Sequence, residues 1–216
     1  MPSRSSCRRS ASMRMADRLI AGAILAGGRS RRMGHDKRLA NLANRTLIEH
    51  TIARLQPQVD RLMLNANDDP PHYAATGLPV RADPIPDFAG PLAGILAALI
   101  WAQEIGARAL VTVPSDAPFF PVDLVERFNA IQDRAIVSAS SGGRLHPVFS
   151  LWRKPETFIA PLRAAIEDES SRKVESFITR FPHGVVEFAI TSHDPFFNIN
   201  TPADLAEAER IMSSVQ

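Results

Sequence analysis

The sequence predicts an α/β protein built on a mostly parallel sheet with helices on both faces. Three observations carry this. Short, continuous apolar runs recur along the chain, among them LIAGAIL at 19–25, ALVTV at 109–113 and AIVSA at 135–139; runs of this length between turn residues read as strands buried on both sides. Segments with helical spacing of apolar residues lie between them. Strands alternating with helices over the first two thirds of the chain imply right-handed crossovers and therefore parallel pairing.

The elements follow in order. LIAGAIL stops at Gly27-Gly28 and forms the first strand. A helix is expected over 46–55, where Leu47, Ile48, Ile52 and Leu55 share one face, and Pro57 ends it. VDRLML at 59–64 reads as a second strand running into Asn65-Ala66-Asn67. LPVRA at 78–82 is a third, stopped by Asp83-Pro84 because proline donates nothing to a ladder. Gly90-Pro91 opens a helix with proline in its first turn, continuing through Leu92, Ile95, Leu96, Leu99 and Ile100. The strand at 109–113 breaks at Pro114, and a helix over about 121–131 leads to the strand at 135–139.

Beyond Gly142-Gly143 the pattern loosens. HPVFSLW at 146–152 and VVEFAI at 185–190 look like strands without regular alternation, so an antiparallel strand is expected among them. Helices are expected within 155–166 and 172–181. The last helix begins at Thr201-Pro202-Ala203-Asp204, with Thr as cap, Pro at the first helical position and an acid in the first turn, and runs to about Met212.

Bulk properties narrow the class. At 216 residues with 45% hydrophobic content, the chain suits one domain over 19–216. No apolar run reaches the roughly 18 residues needed to span a bilayer, so a soluble protein away from membranes is expected. The lone Cys7 permits no internal disulfide and no cysteine pair for zinc, which suits a reducing cytoplasm. The net charge of +2 is misleading: residues 1–18 hold five arginines against Asp17, leaving the remainder net negative. A nucleic-acid footprint belongs on the folded part, so none is expected. Residues 1–18 lack the apolar stretch of a secretory signal. They are transit-peptide-like in composition, but are expected to be a disordered basic tail, with Met13 or Met15 as an alternative start.

In an open parallel sheet, ligands bind beyond the carboxyl ends of the strands. Four strands here end in the Gly-Gly loop, Asn65, Asp83 and Ser115-Asp116. The first of these loops reads LAGGRSRRMGHDK at 25–37. Glycines let backbone approach a ligand closely with N–H groups turned outward, while Arg29, Arg31, Arg32 and Lys37 supply positive charge. Together they read as a polyphosphate cradle. A Walker loop is excluded, because His35-Asp36 separates Gly34 from Lys37, and a G-x-G-x-x-G fingerprint is absent.

This loop resembles the signature of the Rossmann-like nucleotidyltransferases, and of the molybdenum cofactor guanylyltransferases in particular. Similar stretches follow at LNAN (64–67), Asp83, FAGPLAGILAAL (88–99), VPSDAPF (113–119), LHPVFSLW (145–152) and FFNINTPADL (196–205). The resemblance implies a three-layer Rossmann-like fold and transfer of GMP from GTP to the terminal phosphate of molybdopterin or its molybdenum-loaded form, with Mg2+. It implies nucleotide contacts from Leu25, Ala26, Gly27, Gly28, Lys37, Asn65 and Asp83, with Asp116 holding both GTP and the metal. Asn198 and Asn200 resemble positions near the pterin acceptor, and transient protein partners in cofactor delivery fit the same picture. Ser115 stands where the family often has cysteine. Related loops that begin AAG serve CTP or other small phosphate acceptors, so a sister transferase remains an alternative, as does a noncatalytic nucleotide binder.

The expected chemistry is electrostatic. A phosphate monoester is largely dianionic at neutral pH, with a second pKa near 6, so its attack on an α-phosphorus needs no general base. The obstacle is charge repulsion, which positioning and cations relieve. Lys37 and Arg32 are the candidate catalytic cations with Asp116 as metal anchor. Competing readings are a helix-capping role for Asp116, a surface position for Arg32, a turn role for Asn198 and Asn200, and a packed loop histidine for His146. Arg172 and Lys173 could meet the acceptor's phosphate or line a solvated helix face.

Overall fold

The computed structural model describes residues 19–27, 41–67, 70–85, 90–168 and 173–214. The basic tail at 1–18 and most of the cradle, with Gly28, Arg32 and Lys37, lie outside the described residues, as does Arg172.

The strands are β1 (Ile20–Leu25), β2 (Asn41–Leu42), β3 (Arg45–Thr46), β4 (Arg61–Asn65), β5 (Val80–Arg81), β6 (Ala109–Pro114), β7 (Ile136–Ser141), β8 (Arg144–Arg153) and β9 (His183–Glu187). The helices are α1 (Leu47–Leu55), α2 (Pro91–Glu104), α3 (Leu124–Ala130), α4 (Glu156–Glu167), α5 (Val174–Ile178) and α6 (Pro202–Ser214). Seven strands form one sheet in the order β5-β4-β1-β6-β8-β7-β9. β8 pairs antiparallel with both β6 and β7, and every other pairing in this sheet is parallel. The antiparallel strand expected from the loosened pattern is therefore HPVFSLW.

Both faces of the sheet are covered, which is why its central strands carry no polar stripe. Ile24, Leu64, Val111 and Val113 pack with Ile48 and Leu55 of α1 and Leu124 and Phe128 of α3. On the opposite face Ala21, Ala23, Met63, Leu110 and Trp152 meet Leu92, Ile95 and Leu99 of α2, Phe158 and Leu162 of α4, and Phe177 of α5. This is the three-layer arrangement that the resemblance implies. Burying a large apolar side chain contributes about 1.5–3 kcal/mol, so the two layers supply most of the driving force.

Local chemistry sets the joints. α1 opens with a reciprocal cap in which the Glu49 amide donates to the Thr46 hydroxyl at 3.3 Å and the Thr46 amide donates to the Glu49 carboxylate at 2.7 Å. α6 repeats the device: the Asp204 amide donates to the Thr201 hydroxyl at 3.2 Å and the Thr201 amide donates back at 2.8 Å. Gly142 and Gly143, at φ 55° and 77°, make the two-residue turn of the β7–β8 hairpin. Between Ser138 and Ala139 the register shifts, and hydroxyls satisfy the carbonyls of the bulged stretch: Thr112 donates to Val148 at 2.7 Å and Ser150 to Pro147 at 2.9 Å.

Sequence reading did not anticipate the β2–β3 hairpin, whose turn residues Ala43 and Asn44 both hold positive φ without a glycine. Leu42 of this hairpin joins Leu47, Phe119, Ile199, Ala208 and Ile211 in a third apolar cluster that fastens α6 to the body.

Candidate active site

β1, β4, β5 and β6 run parallel, so their carboxyl ends share one edge of the sheet. Leu25, Ala26 and Gly27 leave β1 there, Asn65 ends β4, Asp83 follows β5, and Asp116 follows β6. The ladder continues past the strands: the Ala26 amide donates to the Asn65 carbonyl at 2.8 Å and the Ser115 amide to the Leu25 carbonyl at 3.1 Å. These backbone bonds bring three of the predicted segments side by side.

At the outer end, Asn65, Asn67 and Asp83 form one polar cluster. The Asn65 amide nitrogen donates to Asp83 Oδ1 at 2.9 Å and to the Arg81 carbonyl at 3.1 Å. The Asn67 amide nitrogen donates to Asp83 Oδ2 at 2.6 Å, while Asn67 Oδ1 accepts the Asp83 backbone N–H at 2.7 Å. Each carboxylate oxygen thus accepts one amide hydrogen and keeps lone pairs for a further donor. Asn65 is 1% exposed, Asp83 is half-buried and Asn67 is exposed.

Gly27 lies directly over this cluster. A Cβ built on it would stand 3.1 Å from Asn65 Oδ1, 3.5 Å from Asn67 Nδ2 and 3.6 Å from Asp83 Oδ2. Gly94 of α2 approaches Asn65 more closely still, since its Cβ would fall 2.3 Å from Oδ1. Sequence reading missed both Asn67 and Gly94. The signals were present: a second asparagine two positions on, which an extended segment points the same way, and a glycine inside a helical pattern where alanine forms better helix.

Asp116 is half-buried in the turn after β6, and its backbone is held from two sides. The Ile199 amide donates to the Asp116 carbonyl at 2.8 Å. The preceding Ser115 is 4% exposed, and its amide donates to the Leu25 carbonyl at 3.1 Å. α3 starts at Leu124 with Asp123 in the cap position, so Asp116 is not that helix's cap residue. Among the described residues no three His, Cys, Asp or Glu side chains cluster as a metal cage. The carboxylates of this edge suit a hard divalent cation, which binds oxygen ligands.

Asn198 and Asn200 flank Ile199, which is fully buried, and both are half-exposed. Because Ile199 bonds to Asp116, these two asparagines sit beside the β6 turn. His146 is 6% exposed and stacks on Phe196 with centroids 4.6 Å apart. It is a packed histidine, as expected, but it lies on β8 and not in a loop. Ser141 lies 2.8 Å from His146 Nε2 and donates to Asp194 Oδ1 at 2.8 Å. A carboxylate only accepts, so the serine hydroxyl is committed to it and His146 Nε2 carries the hydrogen it donates to Ser141. Burial holds the His146 pKa below the ordinary histidine value; Arg144 adds to the drop, and Asp194 and Glu187 oppose it. Lys173 is exposed ahead of α5.

With this geometry in hand, similarity to known proteins becomes informative. Residues 22–182 match the model of the MobA-like NTP transferase domain. The chain is 48% identical to the molybdenum cofactor guanylyltransferase of Rhodopseudomonas palustris (strain BisB5), over 92% of this chain and 97% of that one. It is 46% identical to the protein of the same name from Mesorhizobium japonicum, over 91% and 97%. Among solved structures, molybdopterin-guanine dinucleotide biosynthesis protein A from Archaeoglobus fulgidus is similar with a TM-score of 0.69 at 25% identity, covering 90% of this chain and 99% of that one. Rv0371C from Mycobacterium tuberculosis, solved in complex with manganese, shares the fold with a TM-score of 0.65 at 16% identity, covering 89% and 98%. A family model over most of the chain, and relatives this similar along nearly their whole length, establish that the chain belongs to the molybdenum cofactor guanylyltransferases, within the MobA-like NTP transferases.

Proposed function

We propose that this chain transfers GMP from GTP to the terminal phosphate of molybdopterin or its molybdenum-loaded form, releasing pyrophosphate. The observation that carries the reading is the convergence of Gly27, the Asn65–Asp83–Asn67 cluster and Asp116 on one sheet edge, in a chain of this family.

The two ends of the edge suit the two ends of a nucleotide. Asp83 is an anion oriented by neutral amides, so it repels phosphate and attracts N–H or O–H donors. It therefore meets the nucleoside. Gly27 brings bare backbone to the nucleotide, with Gly28, Lys37 and Arg32 following in sequence to take the phosphates. Asp116 would hold Mg2+ against the phosphate oxygens; when bound, that ion offsets their charge and holds them in line. Asn198 and Asn200, beside the β6 turn, meet the polar pterin of the acceptor.

In the reaction an oxygen of the acceptor's phosphate attacks the α-phosphorus, and the bond to the bridging oxygen of the pyrophosphate breaks. The acceptor arrives ionised, so the residues of this chain bind and align, and none needs to remove a proton. The test mixes the purified chain with Mg2+, molybdopterin and each nucleoside triphosphate in turn and follows pyrophosphate. Release with GTP is expected. Faster release with CTP would replace guanine by cytosine in this reading, and binding of GTP without release would make the chain a noncatalytic nucleotide binder.

A further inference from the structure

We propose that Asn67 and Gly94 are positioning residues for the nucleotide, acting through Asp83 and Asn65; the inference rests on the reading of Asp83 as a nucleoside contact. A lone aspartate side chain at a strand end rotates about two torsions, and an oriented acceptor has to be held. Asn67 holds it by a closed ring: its Nδ2 donates to the carboxylate at 2.6 Å and its Oδ1 takes the same residue's backbone N–H at 2.7 Å. The ring fixes the main chain and the side chain of Asp83 in one stroke. The Asn65 amide completes the hold on the other oxygen at 2.9 Å, and its second hydrogen is used by the Arg81 carbonyl at 3.1 Å. With both hydrogens committed, the Asn65 amide cannot flip without losing two bonds, and its Oδ1 faces Gly27 and Gly94.

Gly94 provides the room. It lies in the first turns of α2, where alanine would favour the helix, yet a methyl there would reach 2.3 Å from Asn65 Oδ1. The side chain of Asn65 is itself buried between strand and helix, so it would have to leave its bonds to Asp83 and Arg81. The helix thus carries a glycine at a point where local propensity opposes it, and the amide beneath it explains why. Neutral amides orient the carboxylate without neutralising it, so full charge faces the donors of the incoming nucleoside.

The test measures GTP binding to the full chain in the presence of Mg2+ by titration calorimetry, together with the melting temperature. Asn67→Ala at its exposed position should leave melting unchanged and weaken GTP about fivefold, the scale of one oriented hydrogen bond. The effect should vanish in the Asp83→Ala background, because Asn67 acts only through that carboxylate. Gly94→Ala should weaken GTP as much as Asn65→Ala does and lower melting as well, because the displaced Asn65 amide loses two buried hydrogen bonds. An undiminished affinity in Asn67→Ala, or an equal loss with and without Asp83, overturns the positioning role while leaving the nucleotide reading intact. Wild-type affinity in Asp83→Ala instead sinks the nucleotide reading of that residue and this inference together. Wild-type affinity with lowered melting in Gly94→Ala assigns that glycine to packing alone.

Discussion

Two polar clusters of similar chemistry occupy the same edge of the sheet and differ in what surrounds them. At the β4–β5 end, Asp83 is gripped by Asn65 and Asn67 and remains half-exposed with lone pairs to spare. At the β7–β8 end, Asp194 accepts from Ser141, which accepts from His146, and Ser141 and His146 are 1% and 6% exposed under Phe149 and Phe196. Asp194 Oδ1 also accepts the Phe196 amide at 2.9 Å, which pins the segment leading to Asn198, Ile199 and Asn200. Donor and acceptor types alone therefore do not separate a candidate ligand site from a scaffold. Burial and leftover capacity do. A Ser-His-Asp grouping invites a catalytic reading, but here the serine hydroxyl is spent on the aspartate and sealed from substrate.

The contrast can be broken or sharpened by substitution. The largest effect is expected outside both clusters: Asp116→Ala should reduce kcat/KM by on the order of 10²-fold or more, with an unchanged far-ultraviolet circular dichroism spectrum. Normal turnover would reject its place in the chemistry. Ser141→Ala should act on the fold, lowering unfolding free energy in urea by about 1–3 kcal/mol because His146 and Asp194 lose a buried partner. Its KM for GTP should stay at the wild-type value. Asp83→Ala should act chiefly on binding, raising KM for GTP about tenfold, the scale of hydrogen bonds to a charged group, with a smaller loss of stability because only Asn65 among its amide partners is buried. If both variants lost stability and GTP affinity in equal measure, the distinction between the clusters would fail.

The smallest effect is a pH dependence. Burial depresses the pKa of His146 and of His183, whose Nε2 lies 2.9 Å from the Ser138 hydroxyl. Below the ordinary histidine value near 6.5 the unfolded chain binds protons that the folded chain refuses. Stability should therefore be level above about pH 7 and decline as the pH falls through that value toward the lower folded pKa. Urea midpoints measured between pH 5 and 8 check this; Ser141→Ala should leave the His183 share of the slope, and a slope of opposite sign would contradict burial as the cause.

Much of the architecture was legible because local signals agreed with the tertiary outcome. Pro91 at the head of α2, Pro114 at the end of β6, and Thr201-Pro202-Asp204 at the head of α6 all stand where the sequence places them. The Gly142-Gly143 turn was visible as glycine but not read as a hairpin, and the Ala43-Asn44 turn offers no glycine to read. The candidate site was legible as a set of strand ends, since strand direction alone gathers Gly27, Asn65, Asp83 and Asp116 at one edge. Its internal wiring was not. That Asn67 bonds Asp83, that Gly94 clears Asn65, and that Ile199 reaches Asp116 all depend on contacts between residues 16 to 83 positions apart, about which local spacing is silent.

That last contact bears on how the protein is made. Ile199 and the apolar face of α6 are synthesised after the β-sheet, yet they secure a turn completed some eighty residues earlier and the hairpin beyond the cradle. The turn that carries Asp116, the proposed metal anchor, is consequently held by segments far apart in sequence, and a nascent or clipped polypeptide that already owns a complete sheet would still lack a finished site. Carboxy-terminal trimming into α6 should then silence the protein well before it unfolds it.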